Sequence, residues 1–213
     1  MPHCQIDHLT VTAPTLAQGA AFVRDALGVE LQPGGEHPRM GTHNLLLRLG
    51  DSLFLEVIAV NPDAPRPTRP RWFALDALHA NAPPRLTTWV ARTDDIRRAG
   101  AAAPEALGPI EPITRGRLQW LITIPADGSL PLGGAAPALI EWQTPVHPAS
   151  GLQDVGCSLQ RFEVFHPEPD RIGALLAALG LAQAVVVSPL PAGAAPRLVA
   201  QIRTPSGLRT IGA

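Results

Sequence analysis

The chain has 213 residues, of which 46% are hydrophobic and 16% are charged. It is therefore long enough for a sizeable core and too apolar for an intrinsically disordered protein. It has no lysine and no tyrosine, which excludes a Schiff base, a P-loop lysine and a phenolic acid. The formal net charge of -1 argues against nucleic-acid and membrane partners, and we expect neither.

The N-terminal residues show no basic region followed by an apolar stretch and a cleavage site, which predicts a cytoplasmic protein. The most apolar stretch, residues 172–187, is interrupted by Gly180 and Gln183. It is shorter than the ~18–20 apolar residues that a transmembrane helix needs. Cys4 and Cys157 lie far apart in the sequence, and each is predicted to be a free, buried thiol.

Residues 1–60 predict a first β-α-β-β-β module. A strand over residues 6–11 precedes a helix that begins after Thr15 and ends at Gly28. Strands over residues 44–49 and 52–58 follow, joined by a tight turn at Gly50-Asp51. A shorter strand is predicted to open at residues 30–31.

A proline-rich connection over residues 61–84 leads to a second module over residues 85–145. The second module has predicted strands at 86–91, 118–124 and 138–142, with a short helix capped by Thr93. Residues 146–213 predict a third, truncated module with strands at 159–165 and 198–202 and a helix capped by Asp170. This internal repetition is the main architectural signal of the sequence.

With these modules, the chain resembles the glyoxalase-like proteins of the vicinal oxygen chelate superfamily over nearly its whole length. The resemblance implies an α+β fold, in which repeated β-α-β-β-β modules form a curved, cup-like mixed sheet with helices on the outside. It also implies one compact unit overall. The most specific stretches are Ile6-Asp7-His8-Leu9, residues 37–44, Leu55-Glu56-Val57-Ile58 and residues 137–142.

The resemblance further implies a divalent metal, because superfamily ligands lie on the first and last strands of each module and point into the cup. His8 and Glu56 occupy these two positions in the first module, and Glu141 occupies the last-strand position in the second. The fourth position falls near Thr88, where the superfamily would supply a histidine. An imidazole and two carboxylates suit Zn, Ni, Mn, Co or Fe(II) better than a thiolate metal.

Each ligand candidate has a structural alternative. His8 lies among apolar strand residues and is also consistent with a hydrogen-bonded core histidine. Glu56 and Glu141 lie among apolar neighbours, where a carboxylate is costly to bury without a cation or a hydrogen-bond partner. For Glu56, that partner would be an arginine such as Arg39 or Arg48 instead of a metal.

Predicted substrate contacts come from a glycine-rich connection, an arginine turn and one strand. Connections of this kind concentrate functional side chains, and guanidinium groups bind carboxylates and phosphates through two hydrogen bonds. The alternatives are a solvated loop, ordinary surface arginines and core packing of the tryptophans Trp89, Trp120 and Trp142. The residues concerned are His37, Arg39, His43, Arg115, Arg117 and Trp120.

Two functional hypotheses follow. The leading one is a metal-dependent lyase, isomerase or dioxygenase acting on a small oxygenated metabolite, including an anionic one, with Glu141 as general base. The alternative is a metal-free protein of the same cup fold that binds or sequesters a small molecule. An odd number of modules leaves the third module without an internal partner. It either packs against the first module within the chain or pairs with a second chain, and we favour the second arrangement, a homodimer.

Overall fold

The computed structural model describes residues 2–212 and confirms the α+β class. The first module contains β1 (Gln5–Thr12), α1 (Leu16–Leu27), β2 (Gln32–His37), β3 (Thr42–Gly50) and β4 (Leu53–Val60). The second contains β5 (Arg85–Arg92), α2 (Ile96–Ala102), β6 (Ile110–Arg115), β7 (Leu118–Thr123) and β8 (Ala138–Trp142). The remaining elements are β9 (Ser158–His166), α3 (Pro169–Ala178), β10 (Val186–Pro189), β11 (Arg197–Thr204) and β12 (Gly207–Ile211).

The first two modules form one curved, eight-stranded mixed sheet in the order β2-β3-β4-β1-β5-β8-β7-β6. The modules join where β1 pairs antiparallel with β5, so the first strand of each module lies at the centre of the sheet. Within each module, the first and last strands pair in parallel. This arrangement confirms the cup-like mixed sheet that the resemblance implies.

Local capping chemistry sets the helix ends. The Thr15 hydroxyl accepts a hydrogen bond from Gln18 N, and Gly28 ends α1 with a φ of 71°, as predicted. The cap of α2 is Asp95, because the Thr93 hydroxyl instead accepts a hydrogen bond from Asp95 N. The α3 helix begins at Pro169 with no side-chain cap, so the predicted cap at Asp170 is wrong.

The third segment forms a separate four-stranded sheet in the order β10-β9-β11-β12. It packs within the chain against the convex face of the large sheet, where Phe162 and Ile202 share one apolar core with Leu9. The Trp89 and Phe162 rings meet there with centroids 5.3 Å apart. The third segment therefore packs within its own chain, β10 and β12 remain the edge strands of its sheet, and the homodimer stays a prediction.

The proline-rich connection crosses the concave face of the large sheet. Trp72, Phe73 and Leu75 pack there against Val90 and Ile140, which face into the second-module half of the cup. A Cβ atom at Gly128 would lie 2.1 Å from the Arg71 carbonyl oxygen, so this contact requires glycine. The connection therefore covers part of the concave face and leaves room beside it for a cavity.

Among the helices between residues 2 and 212, none is long and apolar enough to cross a membrane.

Candidate functional site

A small cavity lies on the concave side of the large sheet, between strands of both modules and the proline-rich connection, and has a volume of about 30 Å³. Polar groups come from β1, β2, β3, β4 and β6, and aromatic rings close the remaining walls. The lining residues are His8, His37, Asn44, Leu46, Phe54, Glu56, Trp72, Phe73, Arg115, Trp120, Ile122, Ile140, Trp142 and Pro148.

A buried carboxylate orients the histidine at the centre of this cavity. Asp7 is the extra residue in a register shift between β1 and β5, which brings its side chain to that of its neighbour His8. Asp7 Oδ1 lies 2.6 Å from His8 Nδ1, and Asp7 Oδ2 accepts hydrogen bonds from Trp142 Nε1 and His147 Nε2, each at 2.9 Å. These contacts hold a charge that would otherwise be costly to bury.

The charge of Asp7 determines which ring nitrogen of His8 carries the proton in the neutral ring. Burial alone would raise the pKa of Asp7, yet hydrogen bonds from His147 and His8 lower that pKa far below its usual range. An ionised Asp7 only accepts hydrogen bonds, so the proton of neutral His8 lies on Nδ1. The other ring nitrogen, Nε2, therefore presents its lone pair on the cavity side.

A second carboxylate lies next to His8. Glu56 Oε2 is 3.7 Å from His8 Nε2, and Oε1 accepts a 2.6 Å hydrogen bond from Asn44 Nδ2. Thr10 donates a longer hydrogen bond of 3.4 Å to Oε2. A Cβ atom at Gly34 would lie 2.1 Å from Asn44 Oδ1, so glycine at this strand position makes room for the amide that holds Glu56.

The opposite side of the cavity carries Arg115 and His37. Arg115 Nη1 lies 3.2 Å from His37 Nε2 and 3.3 Å from Asn44 Oδ1. Because a guanidinium only donates, His37 Nε2 is the accepting nitrogen, and Nδ1–H donates to the Thr42 hydroxyl at 3.1 Å. Burial and the Arg115 cation lower the pKa of His37 to about 3, so this ring is neutral at pH 7.

Aromatic side chains form the apolar walls. Phe54 stacks on the His8 ring with centroids 4.5 Å apart, and Trp142 packs against Trp120 at 5.3 Å. Trp72 meets His37 edge to face at 5.1 Å. Trp120 therefore lines the cavity as predicted, while Trp89 lies in the core on the convex side of the sheet.

The strand pairing identifies the counterpart of His8 in the second module. His8 lies opposite Val90, and two residues further along β1, Thr10 lies opposite Thr88. The approximate twofold relation between β1 and β5 therefore exchanges His8 with Thr88. A threonine hydroxyl is a poor substitute for an imidazole ligand.

The same register shows that Glu141 is not the counterpart of Glu56. Glu56 lies opposite Thr10 in the first module, and Ala138 lies opposite Val90 in the second. Glu141 is three residues further along β8, where an odd offset turns its side chain to the convex face. Its carboxylate accepts hydrogen bonds from Ile96 N at the start of α2 and from Gln143 Nε2. The structure therefore separates Glu141 from His8 and Glu56.

Three other predicted contacts lie outside the cavity lining. Arg39 donates to the Glu111 carboxylate and to the Pro112 carbonyl oxygen on β6. His43 is the neighbour of Asn44 on β3 and faces the opposite side of the sheet. Arg117 is exposed in the turn between β6 and β7.

The described residues do not provide the donors of the expected metal site. Among residues 2–212, no three side chains of His, Cys, Asp and Glu form a group that could hold a metal ion. His8 and Glu56 are two donors, and the two positions that would complete the set hold Thr88 and Ala138. The Arg115 cation in the same cavity also opposes a second positive charge. The donor set therefore does not fit the metal that the resemblance implies.

Sequence reasoning missed three members of the site: Asp7, Asn44 and His147. Asp7 precedes a strand histidine within an apolar pattern, which is a weak signal for a charged residue that becomes fully buried. The adjacent glycines at 34 and 35 are typical of a loop, although glycine inside a strand also indicates close approach of a side chain. The His147 contact to Asp7 spans 140 positions in the sequence, and no local pattern reports it.

A glyoxalase-like domain family matches residues 6–180, and the chain belongs to this family, within the vicinal oxygen chelate superfamily. No curated protein matches the sequence. A hypothetical protein from Staphylococcus aureus has a similar structure, with a TM-score of 0.56 and 14% identity over 83% of this chain and 74% of that chain. At this identity, the similarity shows the fold alone.

Two enzymes are more remote. Streptomyces coelicolor methylmalonyl-CoA epimerase aligns with a TM-score of 0.45 and 18% identity over 69% of this chain and 99% of that chain. Methylmalonyl-CoA epimerase from Mycobacterium tuberculosis aligns with a TM-score of 0.40 and 15% identity over 64% of this chain and 85% of that chain. These alignments are too distant to support an inference about the reaction of this chain.

Proposed function

We propose that this protein is an enzyme that removes and returns a proton on a small carbonyl compound, with His8 as the general base. The observation that carries this proposal is the Asp7–His8 pair inside a small, aromatic-walled cavity. A buried carboxylate on one ring nitrogen leaves the other nitrogen free to accept a proton, which is the arrangement of an oriented base.

The proposed step begins with a carbonyl compound in the cavity. His8 Nε2 takes a proton from the carbon next to the carbonyl group, and the C–H electron pair forms a carbon–carbon double bond. The carbonyl electron pair moves onto oxygen, which becomes an enolate. Asp7 stabilises the imidazolium through its 2.6 Å contact with Nδ1. Return of the proton to the same carbon regenerates the carbonyl group and neutral His8, so the step balances without an oxidant.

Glu56 is the second proton carrier in this proposal. Its carboxyl group lies 3.7 Å from His8 Nε2, and Asn44 and Thr10 hold its two oxygens. A second carrier beside the base allows the proton to pass between His8 and Glu56 before it returns to the substrate. We therefore favour an isomerase or lyase over a dioxygenase, since the cavity provides acid–base groups on adjacent strands.

The test follows exchange of carbon-bound hydrogen with deuterium from solvent. Pyruvate is incubated with the enzyme in D₂O with excess chelator, and its methyl protons are followed by NMR. We expect exchange that His8→Gln reduces by roughly 10²–10⁴-fold, because a general base typically contributes that much. His43→Gln is the matched control, since His43 faces away from the cavity, and it should exchange like the wild type.

Other outcomes would change the proposal. Equal exchange by wild type and His8→Gln would remove His8 as the base. Loss of exchange in chelator with recovery on adding Mn²⁺ or Zn²⁺ would instead support the metal-dependent hypothesis. Binding of small molecules without exchange would support the sequestering alternative, which the ring walls of Trp72, Trp120 and Trp142 favour.

A further inference from the structure

We propose that Arg115 forms a carboxylate subsite, which makes short 2-oxo or 2-hydroxy acids the substrate class of this cavity. The inference deepens the proposed function and rests on it for the reaction. Carboxylate binding depends on Arg115, whereas the proposed reaction depends on His8. An experiment can therefore contradict one proposal and leave the other standing.

Among the described residues, Arg115 is the one arginine that lines the cavity, and its partners differ from those of several other arginines. Arg39, Arg71 and Arg171 each form an ion pair with a carboxylate. Within residues 2–212, Arg115 has no carboxylate oxygen within 4.0 Å and only neutral hydrogen-bond partners. A partly buried guanidinium without a counterion favours an anion from outside the chain.

The side chain of Arg115 is held in place before any ligand binds. Its Nη1 donates to His37 and Asn44, while Nε and Nη2 have no hydrogen-bond partner within residues 2–212. A Cβ atom at Gly35 would lie 3.2 Å from Arg115 Cδ, so a glycine on β2 makes room for the aliphatic stem. An Arg115 held at Nη1 presents its other nitrogens as a fork for two oxygens.

The electrostatics support the same assignment. Burial lowers the pKa of Arg115, and Glu56 is the charge that opposes this shift. Because His37 is a neutral acceptor, it orients the guanidinium without neutralising it. The positive charge therefore remains available to a bound carboxylate.

The cavity limits the size of that ligand. A volume of about 30 Å³ holds the centres of roughly two to three water-sized groups. Aromatic rings from Trp72 and Trp120 favour a flat molecule. A carboxylate on Arg115 with its carbonyl carbon one bond away is the compact arrangement that also places an oxidised carbon in the cavity with His8.

The experiment measures binding separately from the reaction. Quenching of tryptophan fluorescence and calorimetry are used to titrate pyruvate, its neutral counterpart pyruvamide and inorganic phosphate into each protein. Arg115→Met should weaken pyruvate binding on the order of tenfold or more, because a charge-assisted, two-oxygen contact is lost. Arg115→Lys should recover only part of this loss. Arg117→Met, two residues away in an exposed turn, is the matched control and should bind like the wild type.

Three results would overturn the carboxylate subsite. They are equal pyruvate affinity in wild type and folded Arg115→Met, equal affinity of the wild type for pyruvate and pyruvamide, and tighter binding of phosphate than of pyruvate. His8→Gln separates the two proposals. If it binds pyruvate normally while wild type shows no deuterium exchange, the proposed reaction fails and the subsite stands. If exchange depends on His8 but binding is insensitive to Arg115, only the subsite fails.

Discussion

The two halves of the eight-stranded sheet share one β-α-β-β-β topology but differ in what their concave faces carry. In the first half, His8 and Glu56 face a cavity. In the second half, the related positions hold Thr88 and Ala138, and Trp72 and Phe73 from the connection pack over them. The imidazole and the carboxylate of the first half therefore have no counterpart of the same chemistry in the second half.

This difference shows how a duplicated fold can keep its architecture while its two copies carry different side chains on their concave faces. Residues that face the convex core are apolar in both halves, since Leu9 and Val57 have counterparts in Trp89 and Leu139. The concave positions are under no such requirement. A position on the concave face can hold a functional side chain in one copy and a packing side chain in the other, and the sheet still forms.

The largest effect that would break this comparison is expected at Asp7. Asp7→Asn should lower proton exchange roughly 10²–10⁴-fold, because a neutral amide neither fixes the tautomer of His8 nor stabilises its imidazolium. Exchange is measured by NMR in D₂O, and the ¹⁵N shifts of His8 report which nitrogen carries the proton. The related second-module position, Thr87, supplies the control Thr87→Val, which should leave both readouts unchanged.

If Asp7→Asn folds, retains the Nδ1–H tautomer of His8 and exchanges normally, Asp7 is only a structural residue. Unfolding of this variant would itself be informative, because removing one partner of a buried charge costs about 3–5 kcal/mol. Asp7→Glu then keeps the negative charge and tests the tautomer in a protein that retains the buried anion.

A smaller effect concerns the pH dependence of stability through His37. The pKa of His37 is lowered to about 3 in the folded protein, whereas an unfolded histidine has a pKa near ~6.5. The unfolded state binds a proton that the folded state does not, so stability falls as pH drops through that window. Integrated from pH 7 to pH 5, the loss is about 2 kcal/mol.

His37→Gln keeps a hydrogen-bond acceptor for Arg115 and removes the titrating ring. The free energy of unfolding, measured in urea at both pH values, should therefore depend less on pH by about 2 kcal/mol. His79→Gln is the control, since His79 is exposed, and its pH dependence should match the wild type. An unchanged slope in His37→Gln would contradict the assignment of a buried, neutral ring.

The smallest expected effect sharpens the contrast between two carboxylates that look alike in sequence. Glu141→Gln removes a negative charge next to the start of α2 and should cost about 0.3–1 kcal/mol of stability. It should leave deuterium exchange unchanged. Glu56→Gln, by contrast, should lower exchange, because Glu56 lies 3.7 Å from the base. Equal effects of the two variants on exchange would return Glu141 to the site.

Much of the fold was predictable because it depends on local patterns. The α1 helix begins and ends at the predicted cap residues, Thr15 and Gly28, whose chemistry acts within one helical turn. Strand β2 was not predicted in full, because Pro33, Gly34 and Gly35 are poor strand formers on any local scale. Its glycines are explained only by the Asn44 and Arg115 side chains that lie over them.

The predicted site residues also fall into two groups, those that line the cavity and those that do not. His8, Glu56, His37, Arg115 and Trp120 could be named as site candidates from the sequence, through module position and residue type, and all five line the cavity. Arg39, His43, Arg117 and Glu141 matched comparable patterns, yet strand parity and ion pairing direct them elsewhere. A shift of one residue along a strand moves a side chain to the other face of the sheet. Strand boundaries predicted from sequence are not exact to one residue, so they do not decide the face.

The sequence by itself determined the modular pattern of strands and helices and the absence of lysine and tyrosine chemistry, because these follow from composition and short-range periodicity. His8 and Glu56 became site candidates through the family resemblance. Only the tertiary structure decided that Asp7 orients His8, that Ala138 stands where a second carboxylate was expected, and that the proline-rich connection covers part of the concave face. Each of these depends on strand register or on contacts between residues far apart in the chain. Such contacts are set by packing of the whole sheet and leave no local trace.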